Sequence, residues 1–249
     1  MRLIMVPGTL CDQRLFAAVT RRLRPAVCVR VARWRELFGH SRPAWWDAQE
    51  PLNLLGFSLG GIWALQRLAQ TVPSRAPLKA PLARLALLGS NAEAASTPVR
   101  RRARAQRRLL QRQGPAAVAR AAKSGYFARR PQPWQARLLV QMARSTPRGL
   151  ARRQLALAAQ RADGLEAFRH FPGPVAVFYG HEDRLCPPPL QKRLQAARQD
   201  ALTKAMNRCG HMIPLEAPGR LAQAIRRWLA QPAGGLAQGL PPPPTPIDR

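Results

Sequence analysis

Acidic residues are scarce in this chain. Only 12 Asp and Glu stand against 41 Lys and Arg in 249 residues, a formal net charge of +29, and just four of the basic residues are lysine. Histidine is equally sparse, with His40, His170, His181 and His211 as the whole supply. Any chemistry that needs an imidazole steered by a carboxylate therefore has few candidates to draw on. The four cysteines (Cys11, Cys28, Cys186, Cys209) form no Cys-x-x-Cys pair and no metal-ligand spacing, which excludes a zinc-ribbon or thioredoxin-like reading. Reduced thiols in a cytoplasmic protein are expected, with a Cys186–Cys209 contact left open. No segment reaches the length and apolarity of a membrane span. The apolar run in Met1–Gly8 is too short for a signal peptide and reads as a strand.

What is present is an alternation of short apolar runs and helical patterns. The length suits one domain with a substantial core, and the alternation predicts a parallel sheet with helices on both faces, an α/β doubly wound fold. Strands are expected near residues 2–7, 26–31, 52–57, 83–89, 174–180 and 201–206, and helices from about Ile62 to Ala69 and from Pro218 to Leu229. Between the fourth and fifth strands lies a long stretch of helical composition, residues 91–170. Pro232 to Arg249 contains Pro241-Pro242-Pro243-Pro244 and little to bury, and reads as a disordered tail.

The richest segment is Leu54-Leu55-Gly56-Phe57-Ser58-Leu59-Gly60-Gly61. A serine with glycine two residues away on each side fits a turn too sharp for bulkier neighbours. Such a turn lifts the hydroxyl above the strand end and aims the next helix's amino terminus at the same place. A serine nucleophile needs a histidine base, and the base needs an orienting carboxylate. One common order along the chain is serine, acid, histidine, with the last two in loops after later strands. The apolar run Pro174–Gly180 leads into His181-Glu182-Asp183, which puts Asp183, or alternatively Glu182, just past a strand end. His211 is the one histidine beyond them, in Asn207-Arg208-Cys209-Gly210-His211-Met212-Ile213-Pro214, again after a strand. His170 and His181 have no acid after a strand end to serve them and read as structural or surface residues. An oxyanion hole takes one amide from the residue after the nucleophile, Leu59, and another from the loop after an earlier strand. Here Gly8 would permit an unusual backbone angle that aims the Thr9 amide, or alternatively that of Leu10, into the site.

These residues resemble the α/β-hydrolase superfamily. The likeness rests on Val6-Pro7-Gly8-Thr9, Gly56-Phe57-Ser58-Leu59-Gly60-Gly61, Gly180-His181-Glu182-Asp183 and Gly210-His211-Met212-Ile213-Pro214, and spans roughly residues 2–231. It implies Ser58 as nucleophile, His211 as base, Asp183 as orienting acid, Leu59 and Thr9 as oxyanion donors, and residues 91–170 as a helical lid over a core made of residues 1–90 and 171–231. Pro7 stands where the superfamily usually has histidine. The chain begins at what would be its third strand, so the usual first hairpin is absent. The short stretch after the second strand, with Gly39, Pro43 and Pro51, implies a stunted connecting helix. The implied activity is hydrolysis of a carboxylic ester or thioester through an acyl-enzyme, without metal or organic cofactor; acyl transfer to an acceptor other than water stays open. Haloalkane and epoxide chemistry are excluded by the resemblance, because members that perform it carry aspartate where this chain has Ser58.

The charge adds a second theme. Residues 91–168 hold 17 basic and 3 acidic residues, a net +14, so this stretch is about twice as positive per residue as the rest. Codon drift in a GC-rich genome explains arginine over lysine but not the shortage of acids. On a helix Arg100, Arg104, Arg108 and Arg112 would form one positive stripe. It reads either as a solvated face or as a docking surface for an anionic partner: a phosphorylated substrate, coenzyme A, an acidic carrier protein or an acidic polymer. Tyr126, Phe127 and Trp134 are expected on the apolar underside of the insertion. A polyanion- or nucleic-acid-binding protein on a hydrolase scaffold is the alternative, although no nucleic-acid motif accompanies the charge. Nothing in the sequence fixes an oligomeric state.

Overall fold

The computed structural model describes residues 1–39, 43, 45, 51–71 and 82–232. Its centre is a six-stranded sheet: β1 (Arg2–Val6), β2 (Cys28–Val31), β3 (Leu52–Phe57), β4 (Leu82–Leu88), β5 (Val175–Gly180) and β6 (Leu202–Met206). The spatial order is β2-β1-β3-β4-β5-β6, and every neighbouring pair is parallel. The α/β doubly wound reading thus holds, with strand limits within about two residues of those expected. The largest difference is at β2, which starts at Cys28.

Each central strand is covered on both sides, so successive residues feed two different cores, as the period of two in a strand requires. Leu3 and Met5 of β1, Leu55 and Phe57 of β3, and Ala176 and Phe178 of β5 point to one face. That face is covered by α1 (Ala17–Leu23) and α11 (Pro218–Leu229), which pack on each other. In α11 Leu221, Ile225 and Trp228 recur at helical spacing on its buried side, and Pro218 opens its first turn where no N–H is needed. Ile4, Val6, Leu54, Val175 and Val177 point the other way, onto α3 (Leu59–Thr71), α8 (Leu165–Arg169) and α9 (Pro188–Ala197). The connecting helix after β2 is indeed brief: α2 is the single turn Trp34–Leu37. Buried Trp34, Trp45 and Trp63 fill this flank. His40 and the proline-rich stretch after Pro232 lie outside the described residues.

Four helices follow β4 in the chain, ahead of α8 and β5: α4 (Thr97–Gln113), α5 (Pro115–Tyr126), α6 (Pro133–Arg144) and α7 (Arg148–Gln160). α4 packs on α7, and α5 on α6. They share a small core in which Leu110, Val118, Ala143, Ala151 and Leu155 close around Leu10 from the loop after β1. α8 lies within the 91–170 stretch, yet its Phe168 is buried in the sheet's second core against α3 and α9. Of the aromatics expected on the insertion's underside, Phe127 is buried in the first core, whereas Trp134 is 49% exposed and faces solvent.

Because β1 leads outward to β2 and the chain then returns to β3 on the other side, the strand order reverses between β1 and β3. Crevices open at the carboxyl ends of strands at such a switch. The cores on the two faces hold this rim rigid. Trp228 is wholly buried, so Trp228→Ala is expected to lower stability by about 3–5 kcal/mol, read from urea unfolding midpoints.

Candidate active site

Ser58 sits directly after β3, at φ 51°, a left-handed backbone angle that a non-glycine residue adopts only under constraint. Its neighbours leave no room for side chains. A Cβ on Gly56 would lie 2.4 Å from the Gly61 Cα, and one on Gly60 would lie 2.3 Å from the carbonyl oxygen of Val6. The turn is pinned by the Ser58 N–H donating to the Leu88 carbonyl (2.9 Å) and by the Ser90 hydroxyl donating to the Ser58 carbonyl (2.8 Å). The hydroxyl is thereby presented at the rim while α3 starts at the very next residue.

Asp183 follows β5 and is buried. Its Oδ1 accepts the Leu185 and Cys186 N–H groups at 2.8 and 2.9 Å, and its Oδ2 lies 2.8 Å from His211 Nδ1. Burial pushes this carboxyl up, but the charge of His211, the bond to its ring and the two backbone N–H groups outweigh that and hold it below the usual carboxylate range. An ionised Asp183 can only accept, so in the neutral imidazole His211 carries its one proton on Nδ1. Its bare Nε2 then faces Ser58 Oγ, 3.0 Å away. Phe57 and Tyr126 flank the imidazole, with ring centroids 5.1 and 5.8 Å off. Glu182, the other acid after β5, instead accepts from the Arg208 and Cys209 N–H groups and holds the histidine loop. His181 and His170 are exposed, and His170 meets Glu166 of α8.

The loop after β1 differs from expectation in its backbone. Its left-handed residue is Leu10 (φ 57°), not Gly8; a side chain on Gly8 would collide with the Phe57 ring at 2.9 Å. The Leu10 N–H is taken by the buried side chain of Gln154 on α7 (2.8 Å), and the Gly8 carbonyl accepts the Trp34 indole N–H (3.1 Å). Among the described residues the amides of Thr9 and Leu59 have no partner, and both residues line the cleft at Ser58. This separates Thr9 from Leu10 as the available donor.

That cleft has a volume of about 120 Å³ and reaches from Ser58 and His211 up to the insertion, where Tyr126, Leu155 and Ala158 close it. The four arginines of the expected stripe, Arg100, Arg104, Arg108 and Arg112, are all exposed, and none lines the cleft. Arg102 and Arg161 do, with Asn91 and Gln106. The signal for Arg102 lay in the helix itself: Val99, Ala103 and Leu110 mark the inward side of α4, and Arg102 borders it. Nothing in the sequence marked Gln154 or Glu216. Glu216, in the short helix α10 (Ile213–Glu216), accepts the Gly210 N–H beside His211 and the Ala128 N–H of the insertion, both at 2.9 Å. Burial pushes its carboxyl up, and these two bonds only partly offset that.

The four cysteines are free. Donor atoms of Asp183, Cys186 and His211 lie within 4.8 Å of one another, the one such group among the described residues. The Asp183–His211 contact already accounts for it. Among the described residues no helix is long and apolar enough to cross a membrane.

A hydroxyl, an imidazole and a carboxylate in series beneath two free amides form the arrangement that hydrolytic enzymes use to turn serine into an attacking group. The chain belongs to the α/β-hydrolase family, whose model matches residues 4–224. Its fold is similar to a thermophilic esterase from Thermogutta terrifontis, solved with malate bound, at 25% identity and TM-score 0.76, over 92% of this chain and 89% of that one. MenH from S. aureus (15%, TM-score 0.74, 92% and 93% covered) and an enol-lactonase from Burkholderia xenovorans (18%, TM-score 0.72, 92% and 90% covered) share the fold. No curated protein matches the sequence. The protein is a hydrolase.

Because the Asp183 carboxyl is held low by folding, its contribution to stability is present above the ordinary carboxylate range and is lost as pH falls through the depressed value. Urea midpoints of the wild type should decline on acidification there, and Asp183→Asn should lack that part of the decline.

Proposed function

We propose that the protein hydrolyses carboxylic esters or thioesters of small molecules through an acyl-enzyme on Ser58. The observation that carries this reading is the 3.0 Å contact from Ser58 Oγ to a His211 whose other nitrogen is held at 2.8 Å by a buried Asp183. As Oγ bonds to the substrate carbonyl carbon, its proton passes to His211 Nε2. The carbonyl π electrons move onto oxygen, where the Thr9 and Leu59 amides meet the new negative charge. Each such donor is worth on the order of 10²–10³ in rate. Collapse of the tetrahedral centre expels the leaving group, which takes the proton from His211. Water then attacks the acyl-serine with the same base, releasing acid and restoring the hydroxyl. No metal or organic cofactor enters. Asp183 keeps the imidazole proton on Nδ1 and steadies the imidazolium that forms.

The helices α4–α7 serve in this reading as a lid that excludes bulk water from the acyl-enzyme. The family match and the esterase similarity support hydrolysis over the polyanion-binding alternative, as does the placement of the arginine stripe outside the cleft.

Ser58→Ala is expected to abolish turnover of a chromogenic short-chain ester with an unchanged circular dichroism spectrum, and fluorophosphonate should label Ser58 in peptide maps of the wild type. Undiminished turnover by the variant would overturn the assignment. Asp183→Asn, which presents an amide N–H to His211 Nδ1 and so favours the wrong tautomer, should lower kcat by roughly 10³–10⁴. Turnover should also fall on acidification, because a protonated ring cannot accept the serine proton.

A further inference from the structure

We infer that the cleft selects substrates carrying a second, negatively charged oxyanion group, a carboxylate or phosphate-type group, and that Arg102 of α4 binds it. The inference rests on the hydrolase reading for the ester end of the substrate but draws on separate residues.

Two arginines, Arg102 and Arg161, line the cleft, and among the described residues no carboxylate does. In a chain with few acids that is not remarkable alone, but the two arginines differ in how they are held. Arg161 is half-buried and anchored to neutral acceptors: its Nε to the Glu93 carbonyl (2.8 Å), Nη1 to the Ala158 carbonyl (3.3 Å) and Nη2 to Asn91 Oδ1 (3.3 Å). Three of its five N–H donors are engaged, and among the described residues no carboxylate lies at hydrogen-bond distance from it. Burial makes its charge unwelcome; Cys186 and Glu93 partly offset that, and Arg102 opposes it. Arg102 is exposed like its neighbours on α4 but borders the cleft; it makes no hydrogen bond and no ion pair among the described residues, and its charge is felt by Tyr126, Arg161 and Cys186, all on the cleft wall.

Two like charges on the wall of one narrow space are mutually unfavourable, and an anion bound beside them relieves this. A planar guanidinium fork matches a carboxylate or phosphate edge with paired hydrogen bonds. The small volume points to a group on the substrate itself, a few atoms from the scissile carbonyl that Ser58 attacks. An acidic protein surface would meet the exposed stripe, outside the cleft. Arg161 fixes the field at the inner wall, while the uncommitted Arg102 is free to grip.

The test uses the full chain with Ser58→Ala, which binds without consuming the ligand. Three probes are titrated calorimetrically: monoethyl succinate, ethyl 3-phosphonopropanoate, and ethyl 4-methylpentanoate, in which an isopropyl group replaces the carboxylate. One of the anionic esters should bind about tenfold or more tightly than the neutral one, and the tighter anion names the group. Adding Arg102→Gln should bring the ratio close to one, and Arg101→Gln, exposed on the same helix and outside the cleft, should preserve it. Equal or tighter binding of the neutral ester overturns the inference, as does a ratio untouched by Arg102→Gln. If the anions bind as expected but wild-type protein hydrolyses none of the three esters and Ser58 resists fluorophosphonate, the hydrolase reading fails while the anion site stands.

Discussion

The turn after β3 is the constraint on which the rest of the site depends. It holds Ser58 at a positive φ in a space where neither Gly56 nor Gly60 could carry a methyl group. A strained residue persists only where its surroundings over-determine it, and here they do. The Leu88 carbonyl, the Ser90 hydroxyl and the backbone of β1 all press on the same five residues. Because β3 is clamped between β1 and β4 and buried on both faces, the strain cannot relax by sliding the strand. The hydroxyl's direction is set before any substrate arrives, and His211 need only be delivered to it by the loop after β6.

The second half of the site is preorganised by a different device, saturation of polar groups. Both oxygens of Asp183 are occupied, Glu182 takes two amides of the histidine loop, and the loop after β1 is braced by Trp34 on one side and Gln154 on the other. The Thr9 and Leu59 amides, which have no partner among the described residues, are those that the proposed reaction would employ. Unmet donors beside the Ser58 hydroxyl fit the part that reaction gives them, meeting charge that develops on a substrate oxygen.

Much of the fold could be read from the chain because parallel strands buried on both faces appear as unbroken apolar runs, and glycine and proline punctuate them. The order of Ser58, Asp183 and His211 pointed to three strand ends that the sheet does bring together. Other features were invisible for physical reasons. Choosing Asp183 over Glu182 requires knowing which carboxylate meets a ring and which meets backbone, and adjacent residues in a turn do not reveal that. The periodicity of arginine on α4 drew the eye to Arg100, Arg104, Arg108 and Arg112, whereas the inward side is set by the sparse Val99, Ala103 and Leu110. Trp134 was expected inside because it is aromatic, but a single bulky side chain on a helix says nothing of which neighbour covers it. Gln154 and Glu216 act through one hydrogen-bonding atom each on distant backbone, and such contacts leave no pattern in sequence.

Glu216 has a mechanical corollary. One carboxylate grips both the residue preceding the imidazole and the chain just past α5, so the ceiling of the cleft is bolted to its floor at that point. Gln154 of α7 makes a second such tie, to the Leu10 N–H in the loop after β1, so the insertion is fastened at two points to loops that border Ser58.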